Sequence, residues 1–107
     1  MMNKYTELSE LEINKRVAEK LGLAYEVTRY GVVTRMSNKE QWREFNPCNN
    51  PTDAMPIINE YGISLIYQDR KFQFATNDGN IECSVSNPLK AAMIIFMCIK
   101  DAENEKI

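Results

Sequence analysis

The sequence predicts an α+β fold in which three helices accompany an antiparallel sheet of three to five strands, in the order α-β-β-α-β-β-β-α. Apolar residues recur every three or four positions in three segments, which is the period of an amphipathic helix. Between these segments, apolar and polar residues alternate as they do in half-buried strands. The pair Asn-Pro stands before two of the helical segments, where a capping residue followed by proline begins a helix.

The first helix is predicted over residues 7–21. Ser9 and Glu12 have the spacing of a capping box, with Thr6 as an alternative cap. Gly22 ends the helix because glycine adopts the left-handed C′ conformation without steric cost, and Leu23 can then fold back as a hydrophobic contact. The apolar face consists of Leu8, Leu11, Val17, Ala18 and Leu21.

Residues 25–36, YEVTRYGVVTRM, are rich in β-branched and aromatic residues and predict one or two strands. Gly31 marks a turn or a bulge within them. Residues 37–46 contain Trp42 and Phe45 among charged residues without a clean period. They are predicted as a loop that can include a short helical turn.

The second helix is predicted over residues 51–61. Asn50 caps it, Pro51 takes the first helical position, and Asp53 lies where a negative charge favours the positive end of the helix dipole. Gly62 repeats the terminating pattern of Gly22. Three short strands follow in alternating residues between 63 and 86, and Asp78-Gly79 is a hairpin signal between the last two. This segment is predicted to be an antiparallel meander.

The third helix begins at Asn87-Pro88 and is apolar on nearly every face. Such a helix has to be covered on more than one side. Either the first helix and the sheet enclose it, or a second copy of the chain covers it. We expect a homo-oligomer, with an interface formed by Ile94, Ile95, Met97 and Cys98.

The chain of 107 residues predicts a single domain over 1–107, with residues 1–5 and 102–107 frayed. A net charge of −2 does not favour nucleic-acid or membrane binding, and Glu40 and Glu44 dilute the basic residues Arg29, Arg35, Lys39 and Arg43. The three cysteines form no C-x-x-C pair, and no secretory signal is visible. A cytoplasmic location is therefore expected.

Catalytic chemistry finds little support in the sequence. A nucleophilic Cys48 needs a base, and the chain contains no histidine. The same absence disfavours serine triads and most zinc sites, so no catalytic residue, no metal site and no cofactor is expected. A small enzyme that uses Cys48 or Asp53 is the least favoured alternative.

A ligand site near the second helix is a stronger alternative. Asparagine and threonine side chains there can hydrogen-bond a base or a sugar, and aromatic rings can stack on it. The candidate residues are Trp42, Phe45, Asn46, Asn49, Asn50 and Thr52. Helix capping already explains two of the asparagines, Asn50 and Asn87.

Three segments of the chain resemble the NinX family of small phage-encoded proteins. Residues 17–23 correspond to its VAEKLGL-type helix, residues 45–58 to its aromatic-x-Pro-Ser-Thr-Asp-Trp segment leading to GPII, and residues 88–93 to its PLIAAMR-type helix. Cys48, Asn50 and Pro51 stand where that family has Ser, Asp and Trp. The exchange of Asp for Asn keeps an N-cap but would remove a general base. The resemblance implies an αβα-sandwich-like fold, a phage origin and an accessory role, and it implies no reaction.

We therefore expect a non-enzymatic phage accessory protein in the host cytoplasm. It would act by binding a host protein or by self-assembly. The alternative is a counter-defence protein that binds and sequesters a nucleotide signal.

Overall fold

The structure, a computed structural model, describes residues 4–78 and 80–105. The helices in this part of the chain are α1 (Glu10–Lys20), α2 (Pro51–Tyr61) and α3 (Pro88–Glu105). The strands are β1 (Ala24–Thr28), β2 (Gly31–Arg35), β3 (Arg43–Glu44), β4 (Ile63–Gln68), β5 (Lys71–Asn77) and β6 (Ile81–Cys83). The predicted α+β class is confirmed, with its three helices and antiparallel strands.

Helix α1 begins and ends at local signals in the sequence. Ser9 is its N-cap, and the Ser9 Oγ accepts a hydrogen bond from the Glu12 N–H at 3.1 Å. At the other end, Gly22 has a φ of 75°, and the Leu23 N–H donates to the Ala18 carbonyl. This is the Schellman arrangement, which satisfies carbonyls that the last turn leaves open.

Helix α2 has the bounds predicted from its sequence. The Asn50 side chain accepts from the Thr52 N–H at 3.0 Å, and Pro51 occupies the first helical position. Gly62 takes the left-handed conformation at the end of the helix, with a φ of 63°. The chain therefore enters β4 in a fixed direction.

The strands form two antiparallel sheets, with orders β1-β2-β3 and β4-β5-β6. A single sheet was expected, and the difference arises after β3, where the chain turns into α2 and β4 then pairs with β5. Strand β3 lies in the predicted loop, and it exists because Arg43 and Glu44 pair with Thr34 and Val33 of β2. Asp78 has a φ of 54° in the predicted hairpin turn, whereas Gly79 lies outside the described residues.

Helix α3 is the centre of the hydrophobic core. It contacts α1, α2 and all three strands of the second sheet, while α1 also contacts β1 and β2. The predicted interface at Ile94, Ile95 and Met97 is therefore wrong, because these side chains are at most 1% exposed within one chain. Cys98 is half-buried and packs against the same core. The protein covers its own most apolar helix.

Both ends of the described chain are part of the folded structure. Tyr5 is buried and its hydroxyl donates to the Asp101 carboxylate, so the segment before α1 is fastened to α3. Helix α3 continues to Glu105 through most of the C-terminal segment that was expected to fray. Residues 1–3 and 106–107 lie outside the described part of the chain. None of the described helices is both long enough and apolar enough to cross a membrane.

Candidate ligand-binding site

A cavity of about 490 Å³ lies beside α2, beneath the loop that joins β2 to β3. We call it the large cavity. Its apolar walls are formed by Leu23, Met36, Phe45 and Pro56. The volume falls in the range of about 300 to 1,000 Å³ that is typical of small-molecule sites. The first sheet, the loop and α2 all contribute walls, so the cavity is a product of the tertiary fold.

The polar lining of the large cavity includes two arginines, Arg35 and Arg43. Both come from the β2-β3 pair, in which Thr34 lies opposite Arg43. Thr34 itself is 6% exposed and also lines the cavity, as does Thr52 of α2. The sheet therefore supplies guanidinium and hydroxyl groups to one apolar concavity.

Arg35 is held by an aromatic ring. The guanidinium carbon lies 4.3 Å from the centre of the Trp42 ring, which is within the range of a cation–π interaction. One terminal nitrogen donates to the Asn38 Oδ1 at 3.2 Å. The Nε atom is buried and has no hydrogen-bond partner among the described residues. Buried donors are normally satisfied, so this N–H is unusual.

Two carboxylates also line the large cavity, and both hold the backbone. The Glu40 Oε2 accepts from the Met36 N–H at 3.0 Å, and the Asp53 Oδ2 accepts from the Asn46 N–H at 2.9 Å. Neither forms an ion pair with a cation in the described part of the chain. Each therefore shapes a wall of the cavity through a backbone contact.

The predicted ligand residues divide between this cavity and a structural network. Phe45 and Thr52 line the cavity, and Trp42 supports it by stacking on Arg35. Asn50 is the N-cap of α2. The remaining two, Asn46 and Asn49, have side chains that bond to each other at 3.2 Å. Both side chains also hydrogen-bond residues of α1, outside the large cavity.

A second set of contacts, which we call the helix-start network, joins the beginnings of the three helices. It consists of Glu10, Asn14, Asn46, Asn49 and Asn87, together with the backbone of Cys48. The buried Asn14 donates to the Asn46 Oδ1 at 2.8 Å and accepts from the Cys48 N–H at 3.0 Å. Bonds within this network therefore occupy the Asn46 Oδ1 and the Asn49 Nδ2, two of the side-chain groups that were predicted to bind a ligand.

Asn87 and Glu10 complete the helix-start network. The Asn87 Oδ1 accepts from the N–H groups of Leu89 and Lys90, which caps α3. Its Nδ2 donates to the Cys48 carbonyl at 2.7 Å and to the Glu10 Oε2 at 2.9 Å. Hydrogen bonds from Asn49 and then Asn87 lower the pKa of the Glu10 carboxyl. A smaller cavity of about 190 Å³ borders these groups, which already bond to one another.

Cys48 lies inside the protein and is not placed for attack on a substrate. Its side chain is fully buried and its thiol donates to the Glu10 carbonyl at 3.8 Å. Burial first, and then the charge of Glu10, raise the pKa of this thiol to about 12. The thiolate is the reactive form, and this environment suppresses it.

Sequence reasoning missed Asn14 and the cavity role of the two arginines. Asn14 stands on the apolar face of α1, four positions before Ala18 and three before Val17. A polar residue within an apolar stripe is a signal that it has a buried partner. Arg35 and Arg43 were noticed only as part of a weak basic patch, because residues 37–46 show no alternation that would predict the pairing of β3 with β2.

The chain is similar to a known family of phage proteins. The family model described as "Bacteriophage P22, NinX" matches residues 4–100 of the chain. No curated protein matches. The matched segment includes both the large cavity and the helix-start network.

Proposed function

The chain belongs to the bacteriophage P22 NinX family, and from this premise we propose that it is a phage accessory protein of the host cytoplasm that binds a small molecule in the large cavity. The cavity of about 490 Å³ is the observation that carries the proposal. It combines apolar walls with a few polar groups, which is the usual composition of a ligand site. A ligand of the size of a nucleotide fits this description. The volume and lining of the cavity thus support the nucleotide-binding alternative that the sequence suggested.

The binding of a host protein or of a second copy has less support. It depended on an exposed apolar face of α3, and that face is covered by α1, α2 and the second sheet. The apolar surface that remains accessible to a ligand in the large cavity comes from Leu23, Met36 and Pro56. A small molecule is therefore the better occupant.

We propose binding without catalysis. The sequence has no histidine to act as a base at neutral pH. The two side chains considered as catalytic groups have other contacts: the thiol of Cys48 is buried, and Asp53 accepts from the Asn46 N–H. The cavity has hydrogen-bonding and apolar groups, which suffice for recognition.

Thermal unfolding with a panel of ligands tests this proposal. The panel contains nucleotides, nucleosides and small aromatic compounds with and without charge. A ligand at one hundred times its Kd stabilises the protein by about 2.7 kcal/mol, so a bound member raises Tm by roughly 10 °C. If no member raises Tm at millimolar concentration, the proposal fails.

Two matched substitutions on α2 locate the site. Thr52 lines the large cavity, whereas Asn59 is exposed on the same helix and does not line it. Thr52→Trp should fill the mouth of the cavity and abolish the stabilisation by any ligand that the panel identifies. Asn59→Trp should leave that stabilisation unchanged. Equal loss in both variants, or in neither, would place the ligand elsewhere and contradict the proposal.

A further inference from the structure

The two arginines of the large cavity have hydrogen-bonding capacity that the protein does not use. Arg43 is exposed, and its guanidinium forms no hydrogen bond or ion pair with any described residue. Arg35 bonds Asn38 through one terminal nitrogen, while its buried Nε has no partner in the part of the chain that the structure describes. A guanidinium has five N–H donors and no acceptor, so both groups can still donate to the acceptor atoms of a ligand.

The acidic residues of the cavity do not supply those acceptors. Glu40 and Asp53 each accept from a backbone N–H, and no ion pair joins either of them to Arg35 or Arg43. The carboxylates therefore fix the loop and the start of α2, and the arginines remain the groups that face a ligand with unused donors.

The position of Arg35 is fixed before a ligand arrives. Its guanidinium stacks on Trp42 at 4.3 Å and is anchored by Asn38. A planar guanidinium that is already oriented binds carboxylate or phosphate oxygens with little further loss of side-chain freedom. The β2-β3 pairing brings Arg43 to the same cavity from the neighbouring strand.

The rest of the cavity is suited to a flat apolar group. Leu23 and Pro56 form walls without charge, and Phe45, which is 7% exposed, adds a small aromatic area. Resting on the proposed function, we infer that the ligand is an organic anion in which a planar ring carries a phosphate or carboxylate group. The anionic group binds Arg35 and Arg43, and the ring lies against the apolar walls.

Pairs of probes that differ only in the anionic group test this inference. Isothermal titration with the purified protein compares AMP with adenosine, GMP with guanosine, UMP with uridine, and benzoate with benzamide. In at least one pair the anion should bind ten-fold more tightly or better. Trp42 is the only tryptophan, so its fluorescence should change when the anion reaches Arg35.

Substitution of an exposed arginine separates charge recognition from folding. Arg43→Gln should lower the affinity for the anion at least ten-fold and leave the affinity for the neutral compound of the pair unchanged. Arg43→Lys should give an intermediate loss of affinity for the anion. Arg29→Gln is the control, because Arg29 is exposed, contacts the Tyr30 ring and does not line the cavity. It should bind as the unmodified protein does.

The possible results distinguish this inference from the function on which it rests. If a neutral ring compound binds as tightly as its anion, or if Arg43→Gln binds the anion as well as Arg29→Gln does, the inference is overturned while small-molecule binding stands. If no anion and no neutral compound binds, the proposed function fails, and the inference fails with it.

Discussion

Replacement of Asn87 by alanine should destabilise the protein far more than the loss of a helix cap. The Asn87 Oδ1 accepts from two N–H groups at the start of α3, and the loss of such a cap costs about 1 kcal/mol. The Nδ2 also donates to the Cys48 carbonyl and the Glu10 carboxylate. These bonds are partly buried and contribute roughly 2 kcal/mol together, one of them to a charged acceptor. The expected total is about 3 kcal/mol.

Asn50 provides the matched control for this prediction. It caps α2 through its Oδ1, but its Nδ2 has no hydrogen bond to any described residue. Asn50→Ala should therefore cost only about 1 kcal/mol. Substitution by aspartate separates the roles further, since a carboxylate still caps a helix but cannot donate. Asn50→Asp should be nearly neutral, whereas Asn87→Asp should lose both donated bonds and place a second negative charge beside Glu10.

Urea unfolding followed by circular dichroism measures these differences. With a slope of about 1 to 3 kcal/mol per molar urea, the loss in Asn87→Ala lowers the midpoint by roughly 1 to 3 M. The midpoint of Asn50→Ala should fall by about a third of that amount. If the two alanine variants have equal midpoints, the donated bonds of Asn87 contribute nothing and the reasoning is refuted.

Three further results are expected. Hydrogen bonds from Asn49 and Asn87 lower the pKa of the Glu10 carboxyl in the folded protein. The stability that these bonds give is fully present above the pKa of an unfolded carboxyl group, near 4.3, and is lost as the pH falls through the lower pKa of the folded state. Glu10→Gln should therefore reduce the loss of stability in acid, measured by urea midpoints from pH 7 to pH 3, and an unchanged slope would contradict this. Cys48, buried and with a raised pKa, should resist iodoacetamide in the native protein at pH 8 and react after unfolding, as read by mass spectrometry; rapid native labelling would show that its burial is incorrect. Ile95→Ala should lower the free energy of unfolding by about 2 to 5 kcal/mol. A cost near zero in chemical unfolding would mean that Ile95 does not lie in the core.

Local sequence signals predicted the parts of the fold that depend on local chemistry. Asn50 and Pro51 fixed the start of α2, and Gly62 fixed its end, because capping and left-handed backbone conformations are properties of a few adjacent residues. The alternation in residues 63–86 predicted the antiparallel meander that β4, β5 and β6 form, because alternation is also a property of adjacent residues. These elements needed no knowledge of their neighbours in space.

The parts that depend on distant contacts could not be read from the sequence. Strand β3 has two residues and no period of its own, and it forms only because β2 lies beside it. The apolar faces of α3 indicated that it is covered, but they could not tell whether α1 and the second sheet or another chain covers it. The partners of Asn46 and Asn49 are likewise remote, since Asn14 and Glu10 lie more than thirty positions earlier.

The hydrogen bonds among Glu10, Asn49 and Asn87 also affect how the domain unfolds. The three residues are separated by 39 and 38 positions along the chain, and they occupy the first, middle and last thirds of it. A polypeptide that stops before Asn87 loses the donor that bonds both Cys48 and Glu10, and one that lacks α1 loses the carboxylate that accepts from Asn49 and Asn87. The complete set of these hydrogen bonds requires all three segments of the chain. We therefore expect cooperative unfolding, in which the three helices unfold in one transition.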